Sequence, residues 1–171
     1  LHNADPPVVA VSLNRRVAFI AKEELFRSRF SNYFFGRLGA FPIHRGRLDR
    51  QALRQAQRVL VNGLALVIFP EATRSKNAQL GPAFPGSALI AVRSGAPILP
   101  VGITGTEKIK GATWWLHRPR ITVNIGRPFH LPPLNGKLSR TELAGLTNFI
   151  MGHIAELLPV EYQGNYASKE N

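Results

Sequence analysis

Short apolar runs with β-strand character alternate with helical patterns along this chain, and this alternation constrains the fold more than any other feature. Strands are predicted at residues 16–21, 40–44, 64–69, 96–103 and 121–126, and helices at 23–38, 50–61, 86–95 and 139–158. The run at 64–69, LALVIF, is apolar at every position, as a strand covered on both faces is. Alternation of this kind predicts an α/β domain with a largely parallel central sheet flanked by helices.

Two of the predicted helices carry informative local patterns. Ser139 and Glu142 have the spacing of a capping box, which predicts that a helix begins there. In the helix at 50–61, one face is apolar and another carries Arg50, Arg54 and Arg58. The pattern predicts an amphipathic helix that packs its apolar face on the sheet.

The length and composition indicate a folded protein. A chain of 171 residues is by default one domain, with 44% apolar and 19% charged residues. The absence of cysteine excludes disulfides and thiolate metal sites. The five histidines lack ligand spacing, so no metal site is predicted. We expect the domain to span residues 1–167, with a polar and frayed carboxy-terminal tail at 160–171.

The net charge of +12, from 22 basic and 10 acidic residues, predicts an anionic partner. Nucleic acid, an acidic membrane surface and a phosphorylated substrate all satisfy that requirement. No apolar run approaches the roughly 20 residues of a membrane-spanning helix. Because the chain opens without Met, we expect an amino-terminal truncation that has removed an upstream anchor.

Charged and hydroxyl side chains follow several of the predicted strands. Lys22 follows the first strand, Arg45 follows the second, and the segment FPEATRS, with Glu71, Thr73 and Arg74, ends the third. Ligands of parallel sheets bind beyond the carboxyl ends of the strands. The sequence therefore predicts that Lys22, Arg45 and Arg74 converge on one rim.

Such a rim has the chemistry of a phosphate site. The planar guanidinium of arginine matches phosphate geometry, and lysine adds a point charge. Thr73 is predicted to donate its hydroxyl to the same group, and Glu71 to accept a substrate hydroxyl or orient one of the arginines. The alternative is that each of these residues is a solvated surface charge. That interpretation is favoured for a single cation after a strand, whereas three cations after successive strands favour a pocket.

Four sequence blocks resemble those of a known family. FPEATRS resembles the block F-P-E-G-T-R-S, with Ala72 in place of glycine, and LGAFPIHRG resembles the block that carries the family arginine, here Arg45. VAFIAKEELF resembles the segment with the family lysine, Lys22, and APILPVGITG resembles an apolar strand interrupted by proline. The chain thus resembles the lysophospholipid acyltransferases of the 1-acylglycerol-3-phosphate acyltransferase type, over nearly its whole length.

The resemblance implies a glycerolphosphate acyltransferase-like fold and a reaction. An acyl thioester, acyl-CoA or acyl carrier protein, donates its acyl group to the free hydroxyl of 1-acylglycerol-3-phosphate, and phosphatidic acid forms. No cofactor besides this co-substrate is implied. Lys22, Arg45 and Arg74 hold the phosphate, and Glu71 and Thr73 contact the substrate.

The resemblance also implies a catalytic pair. In the family block N-H-x-x-x-x-D the histidine is the general base and the aspartate, here Asp5, orients it. The spacing places the expected histidine immediately before Leu1, whereas His2 has the wrong spacing. Pro6 and Pro7 predict that a helix begins beside Asp5.

The predicted partners are lysophosphatidate, the acyl thioester and an anionic membrane surface, with acyl carrier protein as an alternative donor. We expect the protein at the cytoplasmic face of a membrane, peripheral or anchored by a segment missing from this chain. The basic, phenylalanine-rich helix at 23–38 suits a membrane surface or the core equally well. Two alternatives stay open: an acyltransferase for another lysolipid, and a non-catalytic basic domain that binds lipid or nucleic acid. The resemblance argues against nucleic acid.

Overall fold

The described part of the chain combines helices with strands, which confirms the predicted α/β class. The computed structural model describes residues 4–22, 40–43, 50–71, 75, 77–109, 118–132 and 138–167. The predicted helix at 23–38 lies outside these residues. The chain divides into two units, one formed by Leu13–Phe69 and the other by Leu1–Ser12 with Pro70–Asn171. Each unit is described separately below, and the predicted domain limits stay a prediction.

The unit Leu13–Phe69 contains a three-stranded sheet. Its strands are β1 (Val17–Lys22), β2 (Ala40–Ile43) and β3 (Ala65–Val67), in the order β2–β1–β3. Both neighbouring pairs are parallel, and Lys22 is in register with Ile43. The carboxyl ends of the three strands therefore lie at one edge, as the sequence predicts for a parallel sheet.

Helix α2 (Arg50–Val61) packs against β3 of the same sheet. Its residues Ala52, Leu53 and Ala56 are buried, and Ala18 and Phe19 of β1 are buried as well. Burial of a large apolar side chain such as Phe19 contributes about 1.5–3 kcal/mol. The apolar face predicted for this helix is confirmed.

The second unit is mainly helical. Its elements are α1 (Asp5–Ser12), α3 (Gly86–Ser94), β4 (Val101–Thr104), β5 (Thr122–Ile125), α4 (Arg140–Ala155) and α5 (Val160–Gln163), with 3₁₀ turns at Thr106–Lys108 and Gly164–Tyr166. Helices α3 and α4 pack together, with Ile90 from α3 and Ile150 and Met151 from α4 in the core. Met151 is fully buried.

Strands β4 and β5 form an antiparallel pair, a direction that their apolar composition does not encode. Val101 is in register with Ile125, and Ile98 makes an isolated bridge with Phe129. The strand predicted at 96–103 is shorter than expected, because Pro100 has no N–H to donate to the ladder. Its carbonyl accepts the N–H of Gly126 instead (3.0 Å).

The helix ends of this unit follow the sequence signals. Ser139 Oγ accepts the N–H of Glu142 (3.1 Å), and Glu142 Oε2 accepts the N–H of Ser139 (2.8 Å), so the predicted capping box is confirmed. Helix α3 ends at Gly95, whose φ of 63° is the left-handed cap that glycine favours. Among the described residues, no helix has both the length and the apolar character needed to cross a membrane.

The carboxy-terminal segment corrects one expectation. Residues 160–166 are not frayed, because they form α5 and the 3₁₀ turn that follows it. The N–H of Leu80 donates to the carbonyl of Tyr162 (2.8 Å), which ties the segment to a loop far away in the sequence. Tertiary hydrogen bonds of this kind hold a polar segment that has no apolar face of its own.

Candidate functional site

Asp5, which is predicted to orient the catalytic histidine, lies at the first position of α1 and is 4% exposed. The next residues are Pro6 and Pro7, whose fixed φ and missing N–H suit the first turn of a helix. A carboxylate in this turn also interacts favourably with the helix dipole. The predicted helix start is confirmed, and it places a buried carboxyl group where α1 begins.

Glu71, the second carboxyl group of the candidate site, is 7% exposed. Its Oε2 accepts the N–H of Gly81 at 2.7 Å, the length of a charge-assisted hydrogen bond. Burial raises the pKa of Glu71, and the charge of Asp5 raises it further, whereas the Gly81 hydrogen bond lowers it. Asp5 and Glu71 belong to the same unit of the fold.

The loop between Glu71 and α3 is closed by backbone hydrogen bonds. The N–H of Phe84 donates to the carbonyl of Pro70 (2.9 Å), directly before Glu71. Further along the loop, the N–H of Leu80 donates to the carbonyl of Tyr162, and the N–H of Ala83 to Tyr166 Oη (3.3 Å). Because proline has no donor, every backbone N–H from residue 80 to residue 84 has a hydrogen-bond acceptor in this arrangement.

The preceding part of the loop contains a local turn around Asn77. Its Oδ1 accepts hydrogen bonds from Ser75 Oγ (3.0 Å) and from the N–H of Gln79 (3.3 Å). Ala78 lies between them with a φ of 61°, a conformation that residues other than glycine adopt at a cost of about 1–3 kcal/mol. The surrounding hydrogen bonds hold this strained turn beside the FPEATRS segment.

Lys22 is the last residue of β1, in the unit Leu13–Phe69. Its backbone is level with Ile43, which ends β2 two positions before Arg45. The backbone therefore brings the carboxyl ends of these two strands together, as predicted. Arg45, Thr73 and Arg74 lie outside the described residues, as does His2, so the convergence of the three cations stays a prediction.

The residues that hold the loop were not identified from the sequence. Gly81 precedes Pro82, a pair that signals a turn but not a contact with a carboxylate. Tyr162 and Tyr166 belong to the segment that was predicted to be a tail. The sequence signal that could have identified them is the spacing of four residues between the two tyrosines in an otherwise polar segment. Within the described residues, no cluster of three or more His, Asp or Glu side chains could hold a metal ion.

Comparison with known proteins gives consistent matches. Residues 2–104 match the family model described as Acyltransferase. A 1-acyl-sn-glycerol-3-phosphate acyltransferase of Streptococcus pneumoniae is 33% identical over 129 residues, which are 74% of this chain and 46% of that protein. A chloroplastic 1-acyl-sn-glycerol-3-phosphate acyltransferase of Brassica napus is 30% identical over 124 residues, 70% of this chain and 36% of that protein.

A solved structure has the same fold. The crystal structure of the 1-acyl-sn-glycerophosphate (LPA) acyltransferase PlsC from Thermotoga maritima aligns with a TM-score of 0.64 at 29% identity, covering 91% of this chain and 61% of that one. The chain spans less than half the length of the two curated relatives. The α/β fold predicted by the resemblance is confirmed.

Proposed function

The chain belongs to the acyltransferase family, and we propose that it transfers an acyl group from an acyl thioester to the free hydroxyl of 1-acylglycerol-3-phosphate. The product is phosphatidic acid, and the donor is acyl-CoA or acyl carrier protein. The similarity to proteins named 1-acyl-sn-glycerol-3-phosphate acyltransferases supports this choice of acceptor. No cofactor takes part in the proposed reaction.

The observation that carries the proposal is the pair of buried carboxyl groups, Asp5 and Glu71, at the positions of two family blocks. Both groups are buried in the same unit of the fold, although they are far apart in the sequence. Burial raises the pKa of Glu71, because a carboxylate withdrawn from water is harder to ionise. Catalytic sites are a common place for carboxyl groups of this kind.

In the proposed step, the acceptor hydroxyl oxygen forms a bond to the thioester carbonyl carbon, and the bond from carbon to sulfur breaks. The histidine that the family pattern pairs with Asp5 takes the hydroxyl proton and then delivers it to the leaving thiolate. Asp5 holds that histidine in one tautomer and stabilises its charged form. General base catalysis of this type contributes typically 10²–10⁴-fold.

Binding of the acceptor through its phosphate supplies the orientation that the reaction needs. We assign Lys22, Arg45 and Arg74 to the phosphate, and Thr73 and Glu71 to the neighbouring substrate groups. Glu71 Oε2 accepts the N–H of Gly81 in the folded protein. A carboxylate oxygen accepts more than one hydrogen bond, so the two roles are compatible.

An assay with the full-length protein, a radiolabelled acyl thioester and a panel of lysolipids tests the proposal. We expect labelled phosphatidic acid from lysophosphatidate, and much slower transfer to lysolipids that lack a free phosphate monoester. Preferred transfer to another lysolipid would reject the proposed acceptor. Absence of transfer with acyl-CoA and with acyl carrier protein, across the panel, would reject the enzymatic function.

We also propose that the protein acts at the cytoplasmic face of a membrane with anionic lipids. Arg54 and Arg58 are exposed on α2, a helix that contains no acidic residue. Like charges four residues apart destabilise a helix slightly, and an anionic surface would reverse that effect. Salt-sensitive sedimentation with vesicles containing phosphatidylglycerol is expected, and the double variant Arg54→Glu/Arg58→Glu should lose it.

A matched double variant, Arg93→Glu/Arg140→Glu, changes the net charge equally at exposed positions on two other helices. It should keep most of the vesicle binding. An equal loss in both double variants would show that overall charge, and not α2, drives the attraction.

A further inference from the structure

We propose that the carboxy-terminal segment Val160–Tyr166 is a positioning element of the candidate active site, which fixes the peptide group that holds the Glu71 carboxylate. The proposal rests on the proposed acyl transfer for its functional consequence. The segment itself contributes no group to the reaction, so its residues act through the loop at 79–84.

The segment contacts this loop at three places. The carbonyl of Tyr162 accepts the N–H of Leu80, and the hydroxyl of Tyr166 accepts the N–H of Ala83. Between them, Gly164 lies so close to the carbonyl of Leu80 that no side chain fits there. The φ of Gly164 is 54°, which also favours glycine. The segment therefore fixes the loop by direct backbone contact.

One peptide group connects these contacts to the carboxylate. The carbonyl of Leu80 and the N–H of Gly81 belong to the same planar, trans peptide unit. Gly164 lies against its carbonyl side, and its N–H side donates to Glu71 Oε2 at 2.7 Å. Because the unit is rigid, a displacement of the Leu80 carbonyl must reorient the Gly81 N–H. The position of Gly164 therefore controls the hydrogen bond to Glu71.

The segment is itself anchored on its other side. Tyr162 Oη donates to Glu107 Oε1 (2.8 Å), in the 3₁₀ turn that follows β4, and Gln163 Nε2 donates to the carbonyl of Leu158 (2.9 Å). Burial opposes ionisation of Glu107, but hydrogen bonds from the backbone and from Tyr162 together lower its pKa. A charged acceptor strengthens the hydrogen bond from Tyr162, so the segment is held in one position against the loop.

The variant Gly164→Ala tests the proposal, with Gly95→Ala as the matched control. Both glycines have positive φ, but a Cβ at Gly95 meets no atom within 4 Å. Both substitutions add backbone strain, and the Gly164 substitution also displaces the Leu80 carbonyl. We expect Gly164→Ala to lower kcat/KM for lysophosphatidate by roughly 10- to 100-fold, the effect of a misplacement of about 1 Å. Gly95→Ala should keep the wild-type kinetics.

The form of the kinetic change separates positioning from simple destabilisation. Partial unfolding reduces the amount of active enzyme and so lowers Vmax without changing KM. Loss of positioning instead raises KM for the acceptor or lowers kcat of the folded fraction, measured after correction for active enzyme. Equal losses in the two glycine variants, or a loss in Gly164→Ala that disappears after correction for active enzyme, would overturn the proposal.

Two further measurements keep the proposal testable if Gly164→Ala fails to fold or if no lysolipid is a substrate. Tyr166→Phe removes the acceptor of the Ala83 N–H and keeps the ring, so kcat/KM should fall by about fivefold. Amide hydrogen exchange reports Gly81 directly, and its protection should fall in Tyr166→Phe but not in Gly95→Ala. Unchanged exchange at Gly81 would reject the link, whereas an inactive wild-type protein with the expected exchange would reject the proposed function alone.

Discussion

Replacement of Glu71 by glutamine and by alanine gives the sharpest prediction for the loop. Glutamine keeps an oxygen that can accept the N–H of Gly81, whereas alanine removes every acceptor and leaves that N–H without its observed partner. Neither substitution carries a charge, so the difference between the two variants reports the hydrogen bond and the side-chain packing without the effect of burying a carboxylate. Glu71 is 7% exposed, so little water is available to replace the missing acceptor.

The size of the difference follows from the geometry. A bond of 2.7 Å at a part-buried position is short and shielded from water. Leaving a buried donor unsatisfied costs about 1–3 kcal/mol, and the lost side-chain packing adds to this. We therefore expect the Ala variant to be less stable than the Gln variant by about 1–3 kcal/mol. In a protein of this size the difference corresponds to roughly 2–12 °C in Tm.

Urea denaturation at pH 7 measures both free energies of unfolding, and the wild-type protein gives the reference slope. A common slope with a lower midpoint for the Ala variant identifies a true loss of stability. Equal stability of the Gln and Ala variants would refute the reasoning, because the Gly81 hydrogen bond would then contribute nothing.

The same residue gives a pH dependence with a definite sign. Burial, with the charge of Asp5, raises the pKa of Glu71 above its ordinary value of 4.5. The folded protein therefore binds this proton more tightly than the unfolded chain does. The protonated Glu71 contributes its whole stabilisation below pH 4.5, and this contribution to the free energy of unfolding is lost as pH rises through the folded pKa. The loss is about 1.4 kcal/mol for each pH unit by which the folded pKa exceeds the unfolded pKa. As pH rises from 4.5 through the folded pKa, the wild-type protein should lose stability relative to the Gln variant. A difference in free energy of unfolding that stays constant with pH would contradict this prediction.

The remaining predictions concern a helix end and the phosphate site. Ser139→Ala removes the side-chain acceptor of the capping box, so unfolding should need about 0.5–2 kcal/mol less free energy, and an unchanged urea midpoint would show that the cap is dispensable. Arg74→Ala should raise KM for lysophosphatidate by roughly 10- to 100-fold, because a hydrogen bond to a charged group contributes about 1.5–3 kcal/mol. The urea midpoint should stay unchanged. Unchanged acceptor kinetics would instead remove Arg74 from the phosphate site.

Much of the fold was predictable because its signals are local. The capping box at Ser139 and Glu142 and the proline-led start of α1 depend on residues within one helical turn. The apolar face of α2 follows from helical periodicity, which the sheet then buries. The parallel sheet follows from the alternation of strands with helices over intervals too long for hairpins.

The missed features depend on contacts that no local pattern records. The direction of the β4–β5 pair is not encoded in two apolar runs, since either direction buries the same side chains. Tyr162 and Tyr166 bind backbone groups about 80 positions earlier, and a backbone N–H is common to all residues except proline. For the candidate site, the sequence identified Asp5 and Glu71, whereas the support for Glu71 from Gly81 became visible in the folded structure.

The most direct test of the proposed function is single-turnover acyl transfer by the full-length protein and its Asp5→Asn variant. Asparagine keeps the shape of the buried side chain and removes the charge that orients and stabilises the base. We expect labelled phosphatidic acid to form roughly 10²- to 10⁴-fold more slowly in the variant, with the same affinity for lysophosphatidate. Wild-type rates of product formation in Asp5→Asn would contradict this expectation.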